Sequence, residues 1–269
     1  MEKFIDIKEF LASKAPKLAK LIPGFILKWL KKTLHEEQLN EMMAANKDKI
    51  GIDFADGLIS YFGTPIIISG AENIQPNNRA VVTSNHPLGG MDGVVLISVV
   101  GHIDPNIVFP VNDALYMIKN LHPVFARINK YGSNRDNVKN LLEMFSGDKT
   151  VLFFPAGLCS RRQKDGTIRD LEWKSTVISQ AKKNKRDIIP TFIDARNSSK
   201  FYNIAYRRKK LGIKTNIEQL YLVDEGFKNA PKPIKITFGK AIPYTFWDKS
   251  HTDAEWAEIL KEKCYRLKR

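Results

Sequence analysis

Cysteine is scarce in this chain. Cys159 and Cys264 are the two thiols among 269 residues, and no C-x-x-C pair or Cys/His cluster is present. A disulfide framework and a zinc site are therefore not what organises the fold, and a reducing compartment suits the composition. Long apolar runs are missing too. The longest stretch without formal charge, Gly57 to Ala71, has fifteen residues and holds Pro65 and three glycines, too short and too broken to cross a bilayer. The N-terminal region has no continuous apolar signal core, because lysines interrupt it every few residues. Acidic residues are absent from Lys14 to Lys32.

What is present is positive charge. Forty-three Lys and Arg against 29 Asp and Glu leave a formal charge of +14, which draws the molecule toward nucleic acid, anionic lipid headgroups or phosphorylated metabolites. Placement of the charge separates these. Phe10, Leu11, Leu18, Leu21, Ile22, Phe25, Ile26, Trp29 and Leu30 recur at three- and four-residue steps, with lysines on the other face. The pattern predicts two short amphipathic helices broken near Pro23-Gly24, suited to lying in an anionic headgroup layer. The alternative is a helical pair packed on the protein's own core with solvated lysines.

Residues 1–50 are accordingly expected to form a basic helical segment, with a polar helix from Glu36 to Ile50, and residues 51–269 to form the main domain. Strands are predicted at Pro65–Ser69, Ala80–Thr83, Ile107–Phe109, Thr150–Phe154, Ile188–Ile193 and Ile234–Phe238. A helical or buried segment is expected at Gly93–Val100, and helices at Asn137–Phe145 and Glu172–Lys183. This alternation predicts an α/β fold with a mixed, mostly parallel sheet covered by helices. The basic cluster Arg207 to Lys210 falls in a less regular region and reads as a solvated turn or a headgroup contact. It lacks the aromatic interleaving of a stacking platform.

Two stretches carry chemistry. In Ser84-Asn85-His86-Pro87-Leu88-Gly89-Gly90-Met91-Asp92-Gly93 a β-branched strand ends in a Gly-rich turn, where the ligands of open α/β sheets gather. A carboxylate beside an imidazole fixes its tautomer and makes it a better base. An equally simple role for Asp92 is capping the next helix. In the second stretch, Phe154-Pro155-Ala156-Gly157-Leu158-Cys159-Ser160-Arg161-Arg162, a strand runs into a Pro/Gly turn and paired arginines, an arrangement that can receive phosphate or carboxylate.

Together these blocks resemble the glycerolipid acyltransferase family, which includes lysophosphatidate and other lysophospholipid acyltransferases. Asn85-His86 and Asp92 match its Asn-His-x4-Asp block. Phe154-Pro155, Gly157 and Ser160 match its Phe-Pro-Glu-Gly-Thr-Arg-Ser block, and Ile188-Ile189-Pro190-Thr191-Phe192 its final apolar block. Its Arg-containing block corresponds to Phe125-Ala126-Arg127-Ile128-Asn129-Lys130, with Arg127 or Lys130 as the cation. The resemblance spans Ile66 to Ile242. Five residues separate His86 from Asp92 where the family has four, and the family's Glu, Thr and Arg are Ala156, Leu158 and Cys159, leaving Arg161 as the expected anion ligand. The Asn-His-Pro-Leu-Gly-Gly form resembles divergent bacterial members linked to aminolipid synthesis, loosely called haemolysin-like.

The resemblance implies that His86 acts as general base, Asp92 orients it, and Asn85, Arg127, Lys130, Phe154, Pro155, Gly157, Ser160 and Arg161 bind substrate. It implies an acyl thioester donor on acyl carrier protein or coenzyme A, a lysophospholipid or aminolipid acceptor, and no metal or cofactor. The expected partners are an anionic membrane surface and a lipid acceptor, not nucleic acid, with a peripheral position on the cytoplasmic side of the membrane. The altered third block puts lysophosphatidate in doubt as acceptor. Cys159 is the alternative nucleophile. A hydrolase is disfavoured by the lack of Gly-x-Ser-x-Gly. A catalytically altered lipid-binding relative and a basic nucleic-acid module remain as the other readings.

Overall fold

The β-branched runs form strands, and the central ones, at Val81–Ser84 and Thr150–Phe153, are buried along their whole length. The computed structural model describes residues 4–14, 16–128 and 134–268. Helices α1 (Ile7–Lys14), α2 (Pro16–Leu21), α3 (Gly24–Thr33), α4 (Glu36–Ala45) and α5 (Gly51–Phe62) come first. They are followed by β1 (Ile66–Ser69), β2 (Val81–Ser84), α6 (Gly90–Ile103), β3 (Ile107–Val111), β4 (Phe125–Arg127), α7 (Asn134–Ser146) and β5 (Thr150–Phe153). A small antiparallel hairpin of β6 (Arg161–Arg162) and β7 (Ile168–Arg169) leads to α8 (Thr176–Lys183), β8 (Ile188–Asp194) and α9 (Ser199–Lys210). The chain closes with α10 (Leu222–Asn229), β9 (Ile234–Phe238) and α11 (Asp253–Tyr265).

Seven strands make one sheet in the order β1-β9-β8-β2-β5-β3-β4. Strands β8, β2, β5, β3 and β4 are parallel, while β9 meets β8 antiparallel and pairs with β1 in parallel. The sheet is thus mixed and mostly parallel, as the alternation of elements predicts. Strand β2 lies at its centre, with Val81 opposite both Val151 and Ile188. Alternation along β2 sends Val81 to one face with Phe145, Val177 and Leu260, and Val82 to the other with Phe54, Val95 and Val100. Helices cover both faces, which is why the central strands read as unbroken apolar runs.

Three details depart from the sequence reading. Before Leu34 the described residues form three helices, not two, because Pro16 opens α2 in the first-turn position that tolerates proline. The polar helix stops at Ala45, where the Asn46 side chain donates to the Met42 carbonyl at 2.9 Å. The cluster Arg207 to Lys210 is the last turn of α9, not irregular chain. Its helix buries only Phe201, Tyr202 and Ala205, too narrow an apolar face to announce itself. At the expected boundary near residue 50, Met42 and Met43 of α4 share the core with Phe54 of α5, so packing continues across it.

Candidate active site

Everything that matters for His86 follows from its place at the carboxyl end of the central strand. Three parallel strands end side by side there: β2 leads into His86, β5 into Phe154, and β8 into Asn197. The turn from Asn85 to Gly89 must reverse direction within a few residues. Gly89 does this with φ +95°, and a Cβ there would lie 3.2 Å from both Cys159 Sγ and Leu222 Cδ1, so glycine is needed for conformation and for space.

The fully buried Asp92, in the first turn of α6, reaches back to close the turn. Its Oδ2 lies 2.9 Å from His86 Nδ1 and accepts the backbone N–H groups of Leu88 at 2.8 Å and Gly89 at 2.9 Å. Both sequence readings of Asp92 hold at once. It caps α6, and because it is capped in place it presents one fixed oxygen to the imidazole. The five intervening residues are absorbed by the Gly89 turn.

The imidazole, 16% exposed, stacks on Phe154 with ring centroids 4.2 Å apart and planes at 15°. With Nδ1 directed at Asp92, Nε2 is the nitrogen left for a substrate, and among the described residues nothing hydrogen-bonds to it. The Phe-Pro turn also grips the loop from behind: Ser160 N–H donates to the His86 carbonyl at 2.7 Å. Gly157, with φ +63°, donates to the Phe154 carbonyl at 3.0 Å and tightens that turn around buried Pro155.

A carboxylate not evident in the sequence completes the support. Asp170 Oδ1 accepts from His86 N–H at 3.2 Å and from the Ser160 hydroxyl at 2.6 Å, and Oδ2 accepts from Trp173 Nε1 at 2.9 Å. Burial raises its carboxyl above the usual carboxylate range, against the pull of the Ser160 and Trp173 hydrogen bonds. Asp170 sits 84 residues from His86, and its Asp-x-x-Trp spacing is the one signal the sequence offers. Asn197, likewise unforeseen, donates to the Pro87 carbonyl at 3.0 Å.

The expected substrate contacts divide. Phe154 meets His86 directly. Asn85 does not face outward: its Nδ2 donates to the Ile193 carbonyl at 2.9 Å and its Oδ1 accepts the Ile193 N–H at 2.7 Å, tying β2 to the end of β8. Ser160 is used by Asp170. Arg161, expected as a free anion ligand, is buried, with Nε and Nη2 on Glu218 Oε1 at 3.2 and 2.9 Å and Nη1 on the Cys159 carbonyl at 2.6 Å. Glu218 also pairs with Arg208 at 2.8 Å. The acid that neutralises Arg161 comes from a segment 57 residues on, which no local pattern announces.

Arg127 ends the edge strand β4 at the same carboxyl end of the parallel strands as His86, three strands and so roughly 14 Å away. Its half-exposed side chain pairs with Asp113 at 2.8 Å. Lys130 lies outside the described residues. Cys159 is buried, and burial, reinforced by Asp92, pushes its thiol up to about 12. Burial thus disfavours the thiolate that a nucleophilic cysteine requires.

Beside the His86 turn opens a cleft of about 330 Å³, reached by Leu88 and Met91 from that turn and by Asn197, Gly226 and Ile234 from its walls. Exposed Arg196 and Lys232 stand at its border. Neither His86 nor Arg161 lines the cleft; its contact with the turn is through Leu88 and Met91.

Comparison with known proteins gives the family and the fold. The family model described as "Acyltransferase" matches residues 9–269. Two curated relatives are each called lyso-glycine lipid O-acyltransferase. The one from Bacteroides thetaiotaomicron is 44% identical over 265 residues, 98% of this chain and 97% of the relative. The one from Phocaeicola vulgatus is 43% identical over 265 residues, 98% and 95% of the two chains. Among solved structures, the 1-acyl-sn-glycerophosphate (LPA) acyltransferase PlsC from Thermotoga maritima shares the fold, with a TM-score of 0.50 at 14% identity over 97% of this chain and 93% of that one.

Proposed function

This chain belongs to the acyltransferase family and is a lipid acyltransferase, and from that premise we propose that it esterifies the free hydroxyl of a lyso-aminolipid with a fatty acyl group at a membrane surface. The donor is an acyl thioester carried by acyl carrier protein or coenzyme A. The observation that carries the reading is the His86 Nδ1 to Asp92 Oδ2 contact of 2.9 Å, which leaves Nε2 to act. His86 takes the acceptor hydroxyl proton as that oxygen attacks the thioester carbonyl; the carbon–sulfur bond breaks, and the thiol leaves with a proton. Asp92 keeps the imidazole in one tautomer and balances the imidazolium, the part an orienting carboxylate plays in other His-based sites. The reading needs no metal or cofactor.

The aminolipid acceptor is favoured by the third block. A phosphate would call for a free guanidinium there, and Arg161 is already neutralised by Glu218. A glycine joined to lipid through its amine carries a single carboxylate, a smaller anion, and the two curated relatives bear the name lyso-glycine lipid O-acyltransferase. Membrane association is favoured by α3, which buries no residue and leaves Phe25 75% exposed among lysines. No helix among the described residues is long and apolar enough to cross a membrane; the proposed position is peripheral, on the cytoplasmic side.

The test is direct. Purified protein receives an acyl thioester together with lyso-glycine lipid or with lysophosphatidate, and products are weighed by mass spectrometry. Acylated glycine lipid is the expected product. Conversion of lysophosphatidate alone would overturn the choice of acceptor, and conversion of neither would overturn the reading.

A further inference from the structure

Two of the acid-free stretches of this chain each carry six cations. Phe10 to His35 carries six lysines, and Ser199 to Ile217 carries Lys200, Arg207, Arg208, Lys209, Lys210 and Lys214. They are far apart in sequence, yet both combine cations with apolar side chains left in solvent. In the first, Leu21 is 77% exposed and Phe25 75%. In the second, Tyr206, Leu211, Ile213, Ile217 and Leu220 are exposed, Leu211 at 73%. Scattered exposed apolar residues need no explanation, but several on one basic segment do.

The fold joins the two. Trp29 of α3 meets the Tyr221 ring edge-on at 6.4 Å, and Lys200 of α9 lies over the same ring at 4.7 Å. His35, just after α3, pairs with Asp224 at 3.0 Å and stacks on Phe227, both in α10. The turn after α9 is held in shape by Arg208, which donates to the Ile213 carbonyl at 2.7 Å. Of the acids at this junction, Glu218 is buried between Arg161 and Arg208 and Asp224 is paired with His35 and Lys228, so both are already engaged by cations.

We infer that α3 and the segment 206–220 form one continuous docking face for an anionic bilayer, so that membrane binding is divided between two distant parts of the chain. The inference rests on the proposed reaction at a membrane surface and extends it to a second element. Exposed apolar side chains enter the headgroup layer and the cations around them pair with anionic lipid. The face also reaches the catalytic turn, because Leu222 follows Tyr221 and its methyl groups lie against Gly89. A lipid leaving the bilayer there arrives beside His86.

Cosedimentation with vesicles of phosphatidylcholine alone, or of phosphatidylcholine mixed with phosphatidylglycerol, tests this with the full chain. Wild-type protein is expected to bind the anionic vesicles and to be released by salt. Lys209→Gln with Lys210→Gln should weaken that binding roughly tenfold or more, since each cation near an anionic surface contributes on the order of 1 kcal/mol. Leu211→Asp should weaken it comparably. Because these side chains are exposed, melting temperature and turnover of detergent-dispersed acceptor should stay unchanged. Phe25→Ser should produce the same kind of loss from the α3 side. The inference is overturned if both 206–220 variants bind vesicles like wild type while Phe25→Ser does not, if wild type ignores anionic vesicles, or if it is retained on duplex DNA alone. The assay reads lipid binding and not turnover, so a failure of the proposed acyl transfer would leave its result intact.

Discussion

Asp170 holds His86 by the backbone, accepting its N–H at 3.2 Å, while Asp92 holds the same residue by the ring at 2.9 Å. Two buried carboxylates thus grip one histidine at two points, and only the second is evident from the sequence.

The Asp170 grip can be tested by arithmetic on donors. The carboxylate satisfies His86 N–H, the Ser160 hydroxyl and Trp173 Nε1–H, whereas an amide has one oxygen and must turn its NH2 toward one of them. Asp170→Asn should cost roughly 1 to 3 kcal/mol in urea unfolding, the range for a buried donor left unpaired, and lower kcat more than it raises KM. Adding Trp173→Phe removes the competing indole donor and should return part of both losses. Strict additivity of the two substitutions would deny that they share one network. The pH dependence has a definite sign. Burial raises the folded-state carboxyl above its unfolded value, so its ionisation costs stability as pH climbs through that window. The deficit of the uncharged variant should therefore be larger below the window than above it.

Removing the base should be far more severe for turnover and mild for stability. His86→Ala is expected to lower acyl transfer by about 10² to 10⁴. Asp92→Asn should cost nearly as much, since an amide oxygen in the place of Oδ2 can accept the same three N–H groups but carries no charge to balance the imidazolium. Turnover would be followed by thiol release in the presence of acceptor. Near-normal rates in His86→Ala would remove it from the chemistry.

For Arg161 the expectation concerns the fold. Replacing one partner of a buried ion pair leaves the other without its counter-charge, a loss of about 3 kcal/mol at the lower end of the usual range, moderated here by Arg208 on Glu218. Arg161→Ala should lower the urea midpoint and leave the acceptor KM of the folded fraction little changed. A raised acceptor KM at unaltered stability would instead make Arg161 a substrate ligand.

Cys159 gives a negative prediction. With its thiol near 12, about one molecule in 10⁴ carries a thiolate at pH 8. Iodoacetamide should label Cys159 only after denaturation, Cys159→Ala should remain active, and no acyl-enzyme should accumulate. Rapid labelling of native protein that abolishes turnover would reverse this.

How much of this was legible beforehand depended on range. The β-branched run before Asn85 and the glycines before Asp92 are local patterns, and local patterns set strand β2, the turn and the helix that follows. Residues six apart can meet only if such a turn closes, so the His86–Asp92 pair could be read from the chain. The break at Pro23-Gly24 and the helix α3 after it were likewise legible in the spacing of apolar residues.

What the sequence could not decide is which distant group takes up a given side chain. Arg161 looked like a free cation until Glu218, 57 residues on, was folded against it. Asn85 looked available until Ile193, 108 residues away, claimed both ends of its amide. Asp170 had no visible purpose until the sheet brought it beneath His86. Hydrogen bonds and ion pairs are satisfied in space, and a buried polar group takes whichever partner the packing delivers. Periodicity and turn chemistry therefore determined the central strands and the His86 turn, whereas the allocation of charges around it belonged to the tertiary structure alone.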